Sequence, residues 1–250
     1  MSGMYDRFAP FYDLEYGHKV DDIAFYLQMA ARYGAPILEI GVGSGRIAFE
    51  LAAQGYEVWG VDESAAMLKQ AQNKVRQLAP SVRRRVILRQ MDMRRLSLRK
   101  KFRTVIIPFR AFLHNLTQAD QLCTLTAIHR HLQPRGILAM DLFVPIYQVL
   151  AKSEWQVHIP EQDLASQGTG ISISSRVRHD PLRQRLEIEN IYHQKGRDRR
   201  AVMVYRYVFR YEMEALLIAS GFKVLSCHNG FTGEPYDFHS GIMTFIAQKK

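Results

Sequence analysis

Three glycines, Gly41, Gly43 and Gly45, close the run Ile37-Leu38-Glu39-Ile40-Gly41-Val42-Gly43-Ser44-Gly45, between a short apolar stretch and a helical pattern. Glycine belongs where the backbone turns sharply or where a ligand approaches the main chain. A dinucleotide fingerprint would place its third glycine at position 46, to seat a pyrophosphate on the helix N-terminus. Position 46 is arginine, so the spacing is G-x-G-x-G, preceded by the acid Glu39. A second polar group follows a later apolar run, in Pro108-Phe109-Arg110-Ala111-Phe112-Leu113-His114-Asn115. Arg110 suits a carboxylate or phosphate. His114 reads either as a proton acceptor or as a packing residue at a helix start. His129 and His131 stand two apart on a helical pattern and cannot face one ligand together. Cys123 and Cys227 have nothing near them at metal-ligand spacing, so no metal site is expected.

Positioning these residues requires an alternating fold. Ile37-Leu38-Glu39-Ile40, Tyr56 to Val61, Val86-Ile87-Leu88, Val105-Ile106-Ile107 and Ile137 to Phe143 read as five buried strands. Helical patterns lie between them at 45–54, at 64–78 with Ser64 as N-cap, and at 119–132, ended by Pro134-Arg135-Gly136. Such alternation predicts a parallel sheet with helices on both faces, and ligands then bind at the C-terminal ends of the strands. Between about 153 and 210 the period changes to two, in segments 171–178, 185–192 and 202–209, with turns at His179-Asp180-Pro181 and Lys195-Gly196-Arg197-Asp198. These are antiparallel strands with one covered face. A short helix at 211–220 and two closing strands, at 222–227 and 242–247, complete the chain.

The first motif resembles that of the class I S-adenosylmethionine-dependent methyltransferases, and further motifs follow in that family's order. Val61-Asp62-Glu63-Ser64 ends the second strand, Met91-Asp92-Met93 follows the third, and Leu132-Gln133-Pro134-Arg135-Gly136 precedes the fifth. Ser220-Gly221-Phe222 opens the last strand pair. The resemblance covers roughly residues 5–145 and 211–250. It implies an α/β, Rossmann-like seven-stranded, mostly parallel sheet with helices on both faces and an antiparallel last strand. An antiparallel β insertion would sit over the active site. The expected divisions are a helical lid segment at 1–34, a core at 35–150 and 211–250, and an acceptor cap at 151–210.

The resemblance also implies roles. S-adenosylmethionine (SAM) is the expected cofactor, contacted by Tyr12, Glu39, Gly41, Gly43, Gly45, Asp62, Glu63, Met67, Asp92, Met93 and Pro108. Asp62 would accept the ribose hydroxyls; alternatively it favours the dipole of the helix that follows. Asp92 would hold the adenine amine or pair with Arg94 or Arg95. Met67 would pack on the adenine or in the core. Tyr5 and Tyr12 are candidates for a cover over the donor, or anchors of a mobile terminus. Phe109, Tyr147, Tyr236 and His239 are expected around the acceptor, with His114 and Arg110 as catalytic candidates. Two positions depart from the family pattern: Arg103-Thr104, where an aspartate often starts the fourth strand, and Arg135, in place of a turn glycine. Altered packing is expected there, with binding kept.

Composition narrows the alternatives. The 250 residues are 47% hydrophobic and 23% charged, which excludes a disordered chain. No apolar run approaches the ~20 residues of a membrane span. The first residues carry no signal-peptide pattern, and with only two cysteines a cytoplasmic compartment is expected. The net charge is +10, yet segment 76–103 holds eleven Lys/Arg against one acid, Asp92, and the remainder is balanced. Arg83 to Arg85 and Arg99 to Arg103 should lie at the edge of the sheet away from the glycines, as a solvated surface. A small-molecule acceptor is therefore the leading expectation, with a homodimer through the insertion as a further one. The rivals are a methyltransferase acting on RNA or another nucleic acid through segment 76–103, a SAM-binding regulator without catalysis, and a nicotinamide oxidoreductase, which Arg46 disfavours.

Overall fold

A computed structural model describes residues 2–143, 147–151, 153–163, 170–237 and 241–250. The alternating segments form one seven-stranded sheet: β1 (Ile37–Ile40), β2 (Val58–Asp62), β3 (Val86–Gln90), β4 (Phe102–Ile107), β5 (Leu132–Phe143), β10 (Phe222–Asn229) and β11 (Ile242–Lys249). Its order is β10-β11-β5-β4-β1-β2-β3. Strands β1 to β5 pair in parallel, and β11 runs antiparallel to both β5 and β10, as expected. Every residue of β1 is buried, which explains its unbroken apolar run. Connections leave β1 toward β2 and return through β4 on its other side. The loops after β1 and β4 therefore diverge and open a crevice at their C-terminal ends.

Helices α2 (Ile23–Tyr33) and α3 (Arg46–Ala53) bury Phe25, Tyr26, Ile47 and Leu51 against one face of the sheet. On the other face, α6 (Gln118–His131) and α8 (Arg210–Ala219) bring Leu125, Ile128, Met213 and Leu217 into the larger core. The N-terminal segment is thus two helices with different tasks. Helix α2 belongs to the sheet, whereas α1 (Ser2–Tyr16) lies across α4 (Ala65–Gln77) and the second sheet.

That second sheet has four antiparallel strands, not three: β6 (Gln156–Asp163), β7 (Ile171–Asp180), β8 (Arg185–Gln194) and β9 (Arg197–Arg206). The extra strand, β6, has two register shifts against β7, so its sequence loses the clean alternation that marks the other three. Ile171, Ile173, Tyr192, Met203 and Tyr205 point from this sheet into the same core as Phe8 and Phe11 of α1. Phe11 stacks on Tyr192 at 3.9 Å between ring centroids.

Both departures from the family pattern are packed in place. Thr104 is fully buried and donates its hydroxyl to the Gly34 carbonyl, while Arg103 reaches the Tyr33 carbonyl. Arg135 takes a left-handed φ of 57° where β5 shifts register against β4. Much of the basic stretch is also committed to the fold: Arg85 reaches the carbonyls of Gly55 and Ser81, Lys100 pairs with Glu57, and Lys101 binds the Arg130 carbonyl. Among the described residues no helix is long and apolar enough to cross a membrane.

Candidate active site

The loop after β1 is built around positive φ. Gly41 (φ 71°) and Gly43 (φ 55°) adopt the left-handed region, and a Cβ on Gly41 would lie 2.6 Å from the Ala111 Cβ. The N–H groups of Gly41 and Val42 both donate to the Val61 carbonyl, tying the loop to the end of β2. At that end, Asp62 accepts the Gly43 N–H at 2.8 Å and the Ser64 N–H at 2.9 Å, one on each carboxylate oxygen. Burial raises its pKa, and these bonds oppose the rise. Each oxygen keeps a further lone pair for a ligand hydroxyl.

These groups line a cavity of about 850 Å³, open mouth included, together with Glu63, Met67, Met91, Asp92, Met93, Arg94 and Pro108. Tyr5 and Tyr12 of α1 form its cover, and Phe109, Ala111 and His114 its far wall. Helix α1 is fastened beside the cavity by polar contacts. The Ser64 hydroxyl donates to Asp6 at 2.6 Å, the Ser44 hydroxyl donates to Asp13 at 2.6 Å, and Lys74 pairs with Asp13 at 2.7 Å.

Across the crevice, the chain after β4 is strained. Phe109 (φ 52°) and Arg110 (φ 56°) are consecutive non-glycine residues in the left-handed region. Buried Asp141 at the end of β5 holds them there, accepting the Phe109 N–H at 2.8 Å and the Arg110 N–H at 3.1 Å. Tyr26 donates its hydroxyl to the same carboxylate at 2.5 Å. Asp141→Ala removes the acceptor of three donors and is expected to lower stability by about 3 kcal/mol in urea denaturation. Tyr26→Phe removes one donor and is expected to cost about 1 kcal/mol. Equal losses would mean that the turn does not depend on the carboxylate.

The 3-10 turn Ala111–His114 then brings His114 to the wall of the cavity. Its Nδ1 lies 3.0 Å from the Val204 carbonyl of β9, which can only accept, so Nδ1 carries the proton. Its Nε2 is left with a lone pair, and the Tyr5 hydroxyl donates to it at 2.7 Å. Burial pushes the His114 pKa down to about 4, against the bond to Val204 and with the charge of Arg110. The imidazole is therefore neutral near pH 7.

Comparison with known proteins agrees with this geometry. Residues 37–136 match the family described as the methyltransferase domain. Over that span the chain is similar to a methyltransferase domain.

YqeM of Bacillus subtilis (strain 168), which carries a methyltransferase name, is 31% identical over 141 residues, 56% of this chain. The chain spans about half the length of that curated relative, 55% of it. Among solved structures, the CcbJ methyltransferase from Streptomyces caelestis has a TM-score of 0.81 at 24% identity, covering 92% of this chain and 90% of that one. A S-adenosylmethionine-dependent methyltransferase from Clostridium acetobutylicum ATCC 824 has a TM-score of 0.78 at 17% identity, covering 98% of each. SAM-bound CalS10 from Micromonospora echinaspora, an amino pentose methyltransferase, has a TM-score of 0.65 at 21% identity, covering 92% and 89%. At these identities the solved structures establish the fold.

The fold gathers most of the residues singled out by sequence. Tyr12, Gly41, Gly43, Asp62, Glu63, Met67, Asp92, Met93, Pro108, Phe109 and His114 line one cavity. Gly45 caps α3, behind that lining. Glu39 lies in β1, buried, with one carboxyl oxygen lacking a hydrogen-bond partner, and burial raises its pKa well above the ordinary value. Asp92 faces the cavity yet is already forked by Arg94, at 2.6 and 3.0 Å, and Arg94 also reaches Asp120. Tyr236 lies elsewhere, in a surface hollow with Phe209, Arg210, Tyr211 and Asp237. The backbone of Tyr147 begins the short helix α7 (Tyr147–Leu150), but its side chain lies outside the described residues, as does His239. Two roles escaped the sequence reading: Tyr5 as the partner of His114 and Asp141 as the clamp of the turn. Only tertiary structure joins Tyr5 to a residue 109 positions away.

Proposed function

We propose that this protein is a SAM-dependent methyltransferase acting on a small molecule. The observation that carries the proposal is one cavity lined both by the glycine loop and Asp62 and by the Tyr5–His114 pair. The residues fit the donor. Asp62 presents acceptor capacity for the ribose hydroxyls, Met67 and Met93 offer apolar faces for the adenine, and the glycines leave the loop bare beside the methionyl part. SAM, when bound, supplies an electrophilic methyl on a sulfonium, which an acceptor lone pair displaces to leave S-adenosylhomocysteine.

The protein's share of such a displacement is alignment, exclusion of water and management of one proton. Helix α1 covers the cavity and supplies the exclusion. The proton released by the acceptor passes to the Tyr5 oxygen while the Tyr5 hydroxyl proton passes to Nε2 of His114, which leaves the tyrosine neutral. Burial raises the Tyr5 pKa well above its ordinary value, so the phenol serves as a relay and does not lose its proton. The names of neighbours such as CalS10 and the glycopeptide N-methyltransferase MtfA support an amine-bearing acceptor. Segment 76–103 spends many of its cations on the fold itself, which weighs against nucleic acid.

Calorimetric titration with SAM, S-adenosylhomocysteine and NAD tests the donor. Binding of both sulfur ligands in the micromolar range (about −8 kcal/mol) with none for NAD is expected. Failure of both sulfur ligands would refute the proposal.

A further inference from the structure

Arginines with enclosed guanidinium groups in this protein are paired. Arg46 forks Asp22 at 2.5 and 2.6 Å, Arg94 holds Asp92 and Asp120, and Arg206 holds Gln121, Gln184 and Glu212. Arg110 is different. It is half-buried, and among the described residues its guanidinium makes no hydrogen bond and no ion pair. Three aromatic rings surround it instead: Phe109 at 4.5 Å, Tyr205 at 5.7 Å and Phe143 at 5.9 Å from the ring centroids. The Asp141 carboxylate is spent on main-chain N–H groups, including that of Arg110 itself. Glu15 feels the guanidinium's charge, but its carboxylate accepts the Tyr192 hydroxyl at 2.7 Å and lies beyond ion-pair distance of Arg110.

A guanidinium is always charged, and one packed among rings with no anion beside it has its charge unmatched by the protein. The aromatic faces compensate in part, through their quadrupoles. They leave the five N–H donors unused, in the fork geometry that fits a carboxylate or phosphate. The backbone is also held in an uncommon conformation to place this side chain here, clamped from β5. The position matters as much as the chemistry. Tyr205 packs on His114 with ring centroids 4.5 Å apart, and Arg110 approaches the same tyrosine. The unpaired cation and the proton-accepting histidine are therefore neighbours of one ring.

We infer that Arg110 is the anchor for an oxyanion on the acceptor, a carboxylate or phosphate. This rests on the methyltransferase reading and narrows it to anionic acceptors. The apolar walls supplied by Phe109, Phe143 and Tyr205 suit a flat or aliphatic body on such an acceptor.

The test observes the Arg110 Nε–H resonance in ¹⁵N-labelled protein saturated with S-adenosylhomocysteine, assigned through its loss in Arg110→Gln. Benzoate, phenyl phosphate and the neutral benzyl alcohol are titrated in turn. A saturable shift with an anion and none with the alcohol is expected, benzoate reporting a carboxylate site and phenyl phosphate a phosphate site. Arg110→Gln should weaken the calorimetric affinity for that anion at least tenfold and leave S-adenosylhomocysteine affinity unchanged. No response to either anion, or an equal response to benzyl alcohol, would overturn the inference while the donor reading stands. Loss of S-adenosylhomocysteine binding by wild type would instead strike the donor reading, and the anion titrations on the ligand-free protein would still decide the role of Arg110.

Discussion

Asp62→Ala is expected to weaken S-adenosylhomocysteine binding by about a thousandfold, the value of two charge-assisted hydrogen bonds at roughly 2 kcal/mol each. The carboxylate is buried and fixed by the Gly43 and Ser64 N–H groups, so it meets a diol without first giving up rotational freedom. The same substitution leaves those two N–H groups without their acceptor and loosens the glycine loop. Asp62→Asn separates the two effects. The amide keeps one acceptor oxygen but turns an N–H₂ toward a backbone donor, so an intermediate loss is expected. Calorimetry on protein whose thermal unfolding remains cooperative gives the answer. Unchanged affinity in Asp62→Ala would mean that the second strand does not hold the donor and that the cavity serves another ligand.

How much of this was legible in the sequence depended on how local the signal was. The five parallel strands are short apolar runs because both faces of the sheet are covered, and local hydrophobicity reports that directly. Strand β6 was missed because two register shifts against β7 disrupt its period of two. The division of the first 34 residues into a cover and a core helix was hidden for another reason: both helices are rich in aromatic residues. What separates them is the neighbour each meets, Tyr192 for Phe11 and the first sheet for Tyr26.

The site divides along the same line. Gly41, Gly43 and Asp62 were readable because the glycine loop and the strand that follows are contiguous motifs with fixed spacing. The partner of Asp92 is also local, Arg94 two residues on, and the structure chooses that pairing while keeping the carboxylate at the cavity. Asp141 carries no local signature. It is an acid inside an apolar strand, and its meaning appears only when Tyr26 and the turn after β4 converge on it. Arg110 was legible as an anion binder by residue type. Its lack of a carboxylate partner, the feature that gives it weight, was not.

His114→Gln and Tyr5→Phe are each expected to lower kcat about a hundredfold with KM for the donor little changed, at the low end for general acid–base catalysis because the depressed pKa makes His114 a weak base. If Tyr5 relays the proton to His114, the two form a unit and the double variant should be no slower than the worse single one. Multiplicative losses would refute the relay. The same histidine has a consequence for stability. Its folded pKa, about 4, lies below the ordinary 6.5, so on acidification the unfolded chain takes up its proton first. The stabilisation is complete above about pH 6.5 and fades as pH falls toward 4, reaching a loss of about 2 kcal/mol near pH 5. Buried carboxyls whose pKa values are raised, Glu39 and Asp141 among them, act in the opposite sense, so the wild-type curve alone mixes the two. The difference between wild type and His114→Gln in urea denaturation isolates the histidine. That difference should shrink by about 2 kcal/mol between neutral pH and about pH 5. A difference independent of pH would mean that His114 titrates at its ordinary value and that burial does not hold the imidazole neutral in acid.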